Sequence, residues 1–380
     1  MSGVIIGAGI GGLSTAIAMN IHDIDVKVFE AAKEISSIGA GILIPPNAMA
    51  ILDRYNLEGQ VRDAGIAIDS IDLVDLKGRV ISETNTFHRS NGKVFQTVAI
   101  HRGKLQSILL NALPAGTVIS NRRCVGIDSE LDFARAVFED NTFKAGKFLV
   151  GADGLHSNVR KSIFQNSSLR YSGQTCWRGV SDIMLSSQWS SRLTEIWGNG
   201  IRFGFVPISD SKVYWYATKV EKKGGSDSSF DIRKYLLTLF QRFLEPVEDI
   251  ISNTPVGSIF RDDLLDLLPL ESWFSDSTVL IGDAAHASTP NLGQGGAQAI
   301  EDSWFLAKAL KNCVTIDDAF ETFQKSRKNK AQKVVDVSWK IGKVTNLSNA
   351  MACHVRNTIF RCVPSFITRR QAGLVYDVKF

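Results

Sequence analysis

The stretch Val4-Ile5-Ile6-Gly7-Ala8-Gly9-Ile10-Gly11-Gly12 leaves this chain few ways to begin folding. Three β-branched residues in a row read as a buried strand, and the apolar spacing through Leu13, Ala16, Ile17 and Met19 reads as a helix. Between them Gly7, Gly9 and Gly12 stand in G-x-G-x-x-G spacing. One glycine permits the tight turn, one lets a pyrophosphate approach the backbone, and one lets helix and strand pack closely. A second strand, DVKVFE, ends in Glu30, where a carboxylate can accept both hydroxyls of an adenosine ribose. This βαβ start predicts an α/β chain with a Rossmann-like sheet and a dinucleotide at its strand ends.

Two later stretches repeat the pattern of a buried strand ending in small residues and an acid. Phe148-Leu149-Val150-Gly151-Ala152 leads to Asp153-Gly154, and a helix follows with Arg160 one turn in. Thr278 to Ile281 is a short apolar run closed by Gly282-Asp283. Asp283 is placed to accept hydrogen bonds from a sugar or ribityl hydroxyl. The segment from Ala284 to Pro290 is expected at the surface. Asn291, a candidate N-cap, then precedes Gly293, Gly295, Gly296 and Ala297, which open a helix carrying Ile300, Trp304, Phe305 and Leu306. A glycine-rich entry leaves first-turn N–H groups uncovered, so a ligand can reach the positive end of the helix.

Composition narrows the class. A net charge of +4, with both signs mixed along 380 residues, implies no nucleic-acid surface. Five scattered cysteines without C-x-x-C spacing suit a reducing compartment and argue against zinc or a disulfide framework. Six histidines in no ligand pair give no metal site. With no basic-then-apolar leader and no apolar run of about 20 residues, the expected location is the cytoplasm, without an integral membrane span.

Other segments are less specific. Small residues from Gly39 to Gly41 let a loop lie against a planar ring or simply pack tightly, and Asn47 can cap the next helix. Arg102 stands just before a helix, where it can meet a phosphate or flavin edge or form a surface ion pair. From Ile68 to Ala99, and again from Tyr171 to Val220, the chain alternates as β-strands, the second stretch rich in aromatic residues. Ser209-Asp210-Ser211-Lys212 marks a hairpin turn.

Taken together, the N-terminal fingerprint, V-G-A-D-G-x-x-S-x-V-R and G-D-A-A-H-x-x-x-P resemble the p-hydroxybenzoate hydroxylase type of FAD-dependent monooxygenase. The resemblance covers the chain to about residue 340. It implies a Rossmann-like FAD domain of the glutathione reductase type, discontinuous over 1–70, 98–168 and 278–340. A β-rich substrate domain would occupy 71–97 and 169–277, and helices 341–380. It further implies that Gly7, Gly9, Gly12 and Glu30 hold the ADP half of non-covalent FAD. Asp153 and Gly154 belong to a motif associated with FAD and pyridine nucleotide. Asp283 would meet the ribityl or pyrophosphate, and Pro290 and Gly293 to Ala297 would border the flavin ring. In such enzymes NADH or NADPH reduces the flavin and leaves; O2 is then captured as a C4a-hydroperoxide that hydroxylates or epoxidises the substrate.

The aromatic strands resemble the branch of 4-quinolone 3-monooxygenases, with urate hydroxylases and zeaxanthin epoxidases more distant. Arg202 and Tyr214 match, in spacing, a substrate-orienting pair of the urate hydroxylases. An even-length hairpin turn would set them on opposite faces, so a shared pocket requires an odd loop or a bulge. Trp177, Arg178 and Tyr216 are candidate substrate contacts. Trp177 and Tyr216 also suit core filling, and Arg178 also suits an ion pair. His286 reads as structural. The last helix carries Met351, Val355, Ile359 and Val363 on one face with Arg356, Arg361, Arg369 and Arg370 around it. Its narrow stripe favours packing over the pocket, with peripheral membrane contact as the other use. The rival readings are a flavin reductase without oxygen insertion and a non-catalytic FAD-binding protein; the three intact motifs favour catalysis. The partner is a small molecule, and the chain is a monomer or homodimer.

Overall fold

The computed structural model describes residues 2–35, 40–90, 92–129, 133–227, 231–363, 373 and 375–378. Gly39, Arg369 and Arg370, on which parts of the sequence reading fall, lie outside them.

The strands that carry the three motifs are neighbours in one six-stranded sheet. In spatial order it runs Phe274–Ser275, Thr278–Leu280, Phe148–Gly151, Ser2–Ile6, Asp25–Phe29 and Val118–Ile119. All neighbours pair in parallel except the first, an edge hairpin. In register, Ile6 lies beside Gly151 and Phe29, and Gly151 beside Leu280. The loops following the five parallel strands therefore emerge together at the carboxyl edge, where open α/β sheets bind ligands. Val4, Ile5, Leu149, Val150, Val279 and Leu280 are fully buried, as expected of a parallel sheet covered on both faces. The helix Ile10–Ile21 packs between this sheet and the long helix Gly295–Asn312.

A seven-stranded sheet faces it. Its order is Phe260–Leu267, Leu169–Ser181, Lys212–Val220, Ile201–Ser209, Arg192–Trp197, Ser70–Asp75 and Val80–Asn85. One face packs on the helices Ile232–Phe240 and Val247–Ser252 through Phe203, Phe205, Trp215 and Trp177. The other face looks toward the first sheet. Residues 87–97, expected with this sheet, pair instead within a smaller one: Lys93–His101 lies between Gly41–Ile44 and Ile66–Ile68.

Two helices close the structure. Ile316–Thr345 starts at Thr315, whose hydroxyl caps the Asp318 N–H at 3.1 Å. The last helix is Ala350–Arg361. Among the described residues, no helix is long and apolar enough to cross a membrane.

Candidate active site

A cavity of about 1870 Å³ lies between the two sheets. Small-molecule pockets hold roughly 300–1,000 Å³, so there is room for a dinucleotide and a second ligand together.

The floor is the carboxyl edge of the first sheet. Gly7 has φ +101°, and a Cβ there would stand 2.5 Å from the Ala152 carbonyl. A Cβ on Gly12 would stand 1.9 Å from the Gly7 carbonyl, so these two glycines set the close packing of turn, strand and helix. Gly9 differs: a Cβ there meets nothing within 4 Å, because it would project into the cavity. Gly9 is also the N-cap of a helix with no side-chain cap, which leaves first-turn N–H groups open. Glu30 accepts the Ala8 N–H at 2.7 Å and the Ala32 N–H at 2.8 Å, one on each oxygen, with lone pairs to spare for hydroxyls.

The second motif is partly structural. Asp153 does not line the cavity. Its carboxylate accepts the Ser157 hydroxyl at 2.5 Å and the N–H groups of Asn158 and Val159 at 2.7 and 3.1 Å, fixing the start of the helix Asn158–Ile163. The groups of that carboxylate are thus engaged within the motif's own turn. Gly154, in the left-handed region at φ +78°, does line the cavity. Arg160 is buried and donates to the carbonyls of Leu155 at 2.6 Å and Ala284 at 3.1 Å, tying the second motif to the third.

In the third motif Asp283 faces the cavity from the first turn of a short helix, Asp283–His286. Ala284 to Ala287 are buried, contrary to the expected surface run. The Asp283 side chain is exposed to the open cavity, and the crowding of protein around it pushes the carboxyl up, against the pull of His286, Arg102 and Arg160. The turn is held from behind by Asp302, which accepts the Gly282 N–H at 2.9 Å, His286 Nε2 at 2.6 Å and Arg327 Nε at 2.8 Å. Burial opposes charge on Asp302, yet His286 and Arg327 hold its carboxyl down to about 2. His286 is thus an anchoring residue. Pro290, Gly293, Gly295 and Gly296 line the cavity, and the helix from Gly295 has no side-chain cap. Ala297 lies behind them, fully buried in the core, which corrects its assignment to the ligand. Asn47 caps nothing; its amide donates to Glu301 at 2.6 Å and Gln294 at 3.1 Å. Arg102 opens the helix Arg102–Asn111 at the cavity, with no ion pair among the described residues.

The roof is the seven-stranded sheet, and its register decides which side chains take part. A shift between Pro207 and Ser209 makes Arg202 pair with Thr218, Gly204 with Tyr216 and Val206 with Tyr214. That bulge supplies the odd residue the hairpin needed, and Arg202, Tyr214 and Tyr216 share the cavity face. Trp177 pairs with Ala217 on the opposite face and donates to Asp227 at 2.7 Å. It belongs to the helix-side core, which corrects its assignment to the substrate. Arg178 is on the cavity face, ion-paired with Asp262.

The sequence reading missed the residue at the centre of this roof. Glu195 accepts Arg202 Nη1 at 3.1 Å and the Trp197 indole N–H on one oxygen, and the Tyr216 hydroxyl on the other. Arg202 is buried and also donates to Thr218 at 3.1 Å, Gln174 at 3.4 Å and Asn291 at 2.9 Å. Of its five N–H groups, one is left. Asn291, expected as an N-cap, instead bridges the substrate sheet to the glycine loop. The signal for Glu195 was an acid inside the apolar run LTEIW. Burial raises the Tyr214 phenol, and burial with the Glu195 carboxylate raises that of Tyr216, so both stay protonated at neutral pH. The Tyr214 hydroxyl has no partner among the described residues and lies at the cavity.

Comparison with known proteins agrees with this geometry. A family model described as an FAD binding domain matches residues 1–338. The aurachin C monooxygenase/isomerase of Stigmatella aurantiaca is 36% identical over 362 residues, 95% of this chain and 94% of that protein. The 2-heptyl-3-hydroxy-4(1H)-quinolone synthase of Pseudomonas aeruginosa is 32% identical over 372 residues, 97% and 96% of the two chains. Klebsiella pneumoniae HpxO, solved with FAD and uric acid, superposes with a TM-score of 0.88 at 23% identity, over 99% of this chain and 96% of that one.

Proposed function

The chain belongs to the FAD-binding domain family and is an FAD-dependent monooxygenase; on that premise we propose that it hydroxylates an uncharged aromatic heterocycle of the 4-quinolone class, using NADH or NADPH. In this division of labour the first sheet holds the cofactor and the second the substrate. FAD supplies, once reduced, an oxygen atom from dioxygen for insertion into a C–H bond, the other atom leaving as water.

The chain's own groups fit that cofactor. Gly9 leaves the space a pyrophosphate needs, Glu30 has free lone pairs at the ribose position, and Asp283 stands where ribityl hydroxyls would donate. Uncapped N–H groups at Gly295 and Gly296 can stabilise negative charge at the mouth of their helix.

The observation that carries the substrate class is the charge balance of the roof. Arg202 is neutralised by Glu195, and Arg178 by Asp262. Both arginines of that face are thus compensated; Arg102, the cavity arginine without an ion pair among the described residues, acts on Asp283, and Leu193 and Val206 offer apolar contact. The Tyr216 oxygen donates its proton to Glu195 and can accept one hydrogen bond from a ring N–H, pushing electron density into the ring. The name of the Pseudomonas relative supports a quinolone frame. The test is an N-unsubstituted 2-alkyl-4(1H)-quinolone with NADH or NADPH under labelled oxygen gas. One labelled atom should enter the product, and urate should not stimulate nicotinamide oxidation. Label arriving only from water, or turnover without oxygen, would refute the reading.

A further inference from the structure

The helix Ala350–Arg361 is turned inside out. Its buried residues are Cys353, Arg356 and Asn357. Met351, Val355 and Ile359, successive turns of one face, stand 78%, 51% and 59% exposed. A helix resting on a soluble core shows the reverse pattern. The inner face roofs the cavity. Phe360 lines it and meets Trp197 edge-on with ring centres 5.5 Å apart, and the Arg356 guanidinium lies 4.7 Å over the same Trp197 ring. The apolar stripe, expected over the pocket, looks away from it.

The stripe continues beyond the helix. At one end exposed Leu347 and Val220 meet at Gly200: the Gly200 N–H donates to the Leu347 carbonyl at 2.8 Å, and the Val220 N–H to Gly200 at 2.9 Å. At the other end Arg361 donates to the carbonyl of exposed Val80.

Charge narrows what can cover this ridge. Residues 337–376 contain six Lys and Arg and no Asp or Glu. Arg361 is paired with Asp75 and Arg356 is buried, but Lys340 and Lys343 are exposed on the preceding helix. Even with Leu347, Val220 and Val80, six partly exposed aliphatic side chains fall short of the roughly 800 Å² per partner that a stable dimer needs. A narrow apolar stripe, with exposed Lys340 and Lys343 (the latter 4.8 Å over the Trp339 ring) on the preceding helix, matches the headgroup layer of an anionic bilayer, apolar below and negative at its surface.

We propose that this helix seats the enzyme on an anionic lipid surface, with Met351, Val355 and Ile359 in the headgroup layer and the cavity directly beneath the helix. A substrate dissolved in that layer then reaches the pocket without crossing bulk water. The lipid contact itself rests on no substrate assignment.

Full-length, FAD-loaded protein is floated with vesicles of phosphatidylcholine, with and without phosphatidylglycerol. It should float with the anionic vesicles, less as salt rises, and poorly with phosphatidylcholine alone. Replacing Met351, Val355 and Ile359 together by serine should lower vesicle binding by at least about tenfold. Bound flavin and melting temperature should not change, because none of the three lines the cavity. Lys340→Glu with Lys343→Glu should weaken flotation with anionic vesicles alone. Equal flotation of the serine variant and its parent overturns the proposal, as does indifference to phosphatidylglycerol. A concentration-dependent dimer abolished by the serine variant, without flotation, assigns the face to a second copy and overturns it too. Flotation is read without turnover, so its failure leaves the monooxygenase reading untouched.

Discussion

Glu195→Gln isolates the charge balance of the substrate face from its shape. Glutamine is isosteric and can keep accepting from Arg202 and Trp197 on its oxygen, while its amide turns to the Tyr216 hydroxyl. Only the negative charge is lost. Arg202 and Glu195 are both buried, with 4% and 10% of their side chains exposed, so the positive charge left behind is poorly screened. A unit charge acting on another about 8 Å away, at an effective dielectric near 20, is worth about 2 kcal/mol, or roughly thirtyfold in Kd. An anion such as urate should therefore bind the variant about thirtyfold more tightly than the parent. The glutamine amide donates to the Tyr216 oxygen and competes for the lone pair offered to the ring N–H, a bond worth about 0.5–1.5 kcal/mol, so a neutral quinolone should bind up to about tenfold more weakly. Titrating each ligand into oxidised holoenzyme and following the flavin absorbance reads both constants without turnover. If the variant keeps its flavin and melting temperature but binds urate no better than the parent, the charge-balance argument is wrong.

Gly9→Val should fold with a near-native melting temperature yet purify colourless, since its side chain enters open cavity, whereas Gly12→Ala should fail to fold because its Cβ would stand 1.9 Å from the Gly7 carbonyl. Retention of full flavin by Gly9→Val would contradict the first half. Asp283→Ala should weaken FAD binding about ten- to a hundredfold by removing one charged acceptor, as measured by flavin fluorescence on titration. Arg202→Ala and Tyr214→Phe should keep FAD but lower product formed per NAD(P)H and raise H2O2, which a peroxidase-coupled assay counts; unchanged coupling in both would remove them from the substrate site. Asp302→Asn should cost about 1.5–3 kcal/mol in urea unfolding, because His286 loses its carboxylate partner and Arg327 keeps only Glu301. The native carboxyl sits at about 2, below its ordinary 3.8, so its contribution is complete above that ordinary value and fades as pH falls toward 2. The variant should lack that acid-side slope.

Much of the cofactor side was legible because its determinants are local. A strand's burial shows in its β-branched run, a tight turn in its glycine, and a helix start in the residues beside it, so the strands and turns that carry Gly7 to Gly12, Glu30, Gly154 and Asp283 could be placed one segment at a time. Even there, the partners of individual side chains were not foreseen. Asp153 caps its own helix, Ala297 sits in the core, and Asn291 reaches Arg202 across the sheets.

The substrate side was decided by tertiary structure. Side chains alternate with period two, so one extra residue reverses every assignment along a strand. Spacing alone could not say whether Arg202 and Tyr214 share a face; the bulge between Pro207 and Ser209 does. The same parity sends Trp177 to the helix-side core and Tyr216 to the cavity, although both are aromatic residues in similar strands. In the last helix, the sequence by itself determined that Met351, Val355 and Ile359 form one stripe, because 3.6 residues per turn is a property of the helix alone. Which way the stripe faces depends on what the rest of the chain packs against, and here Cys353, Arg356 and Asn357 took the inner side.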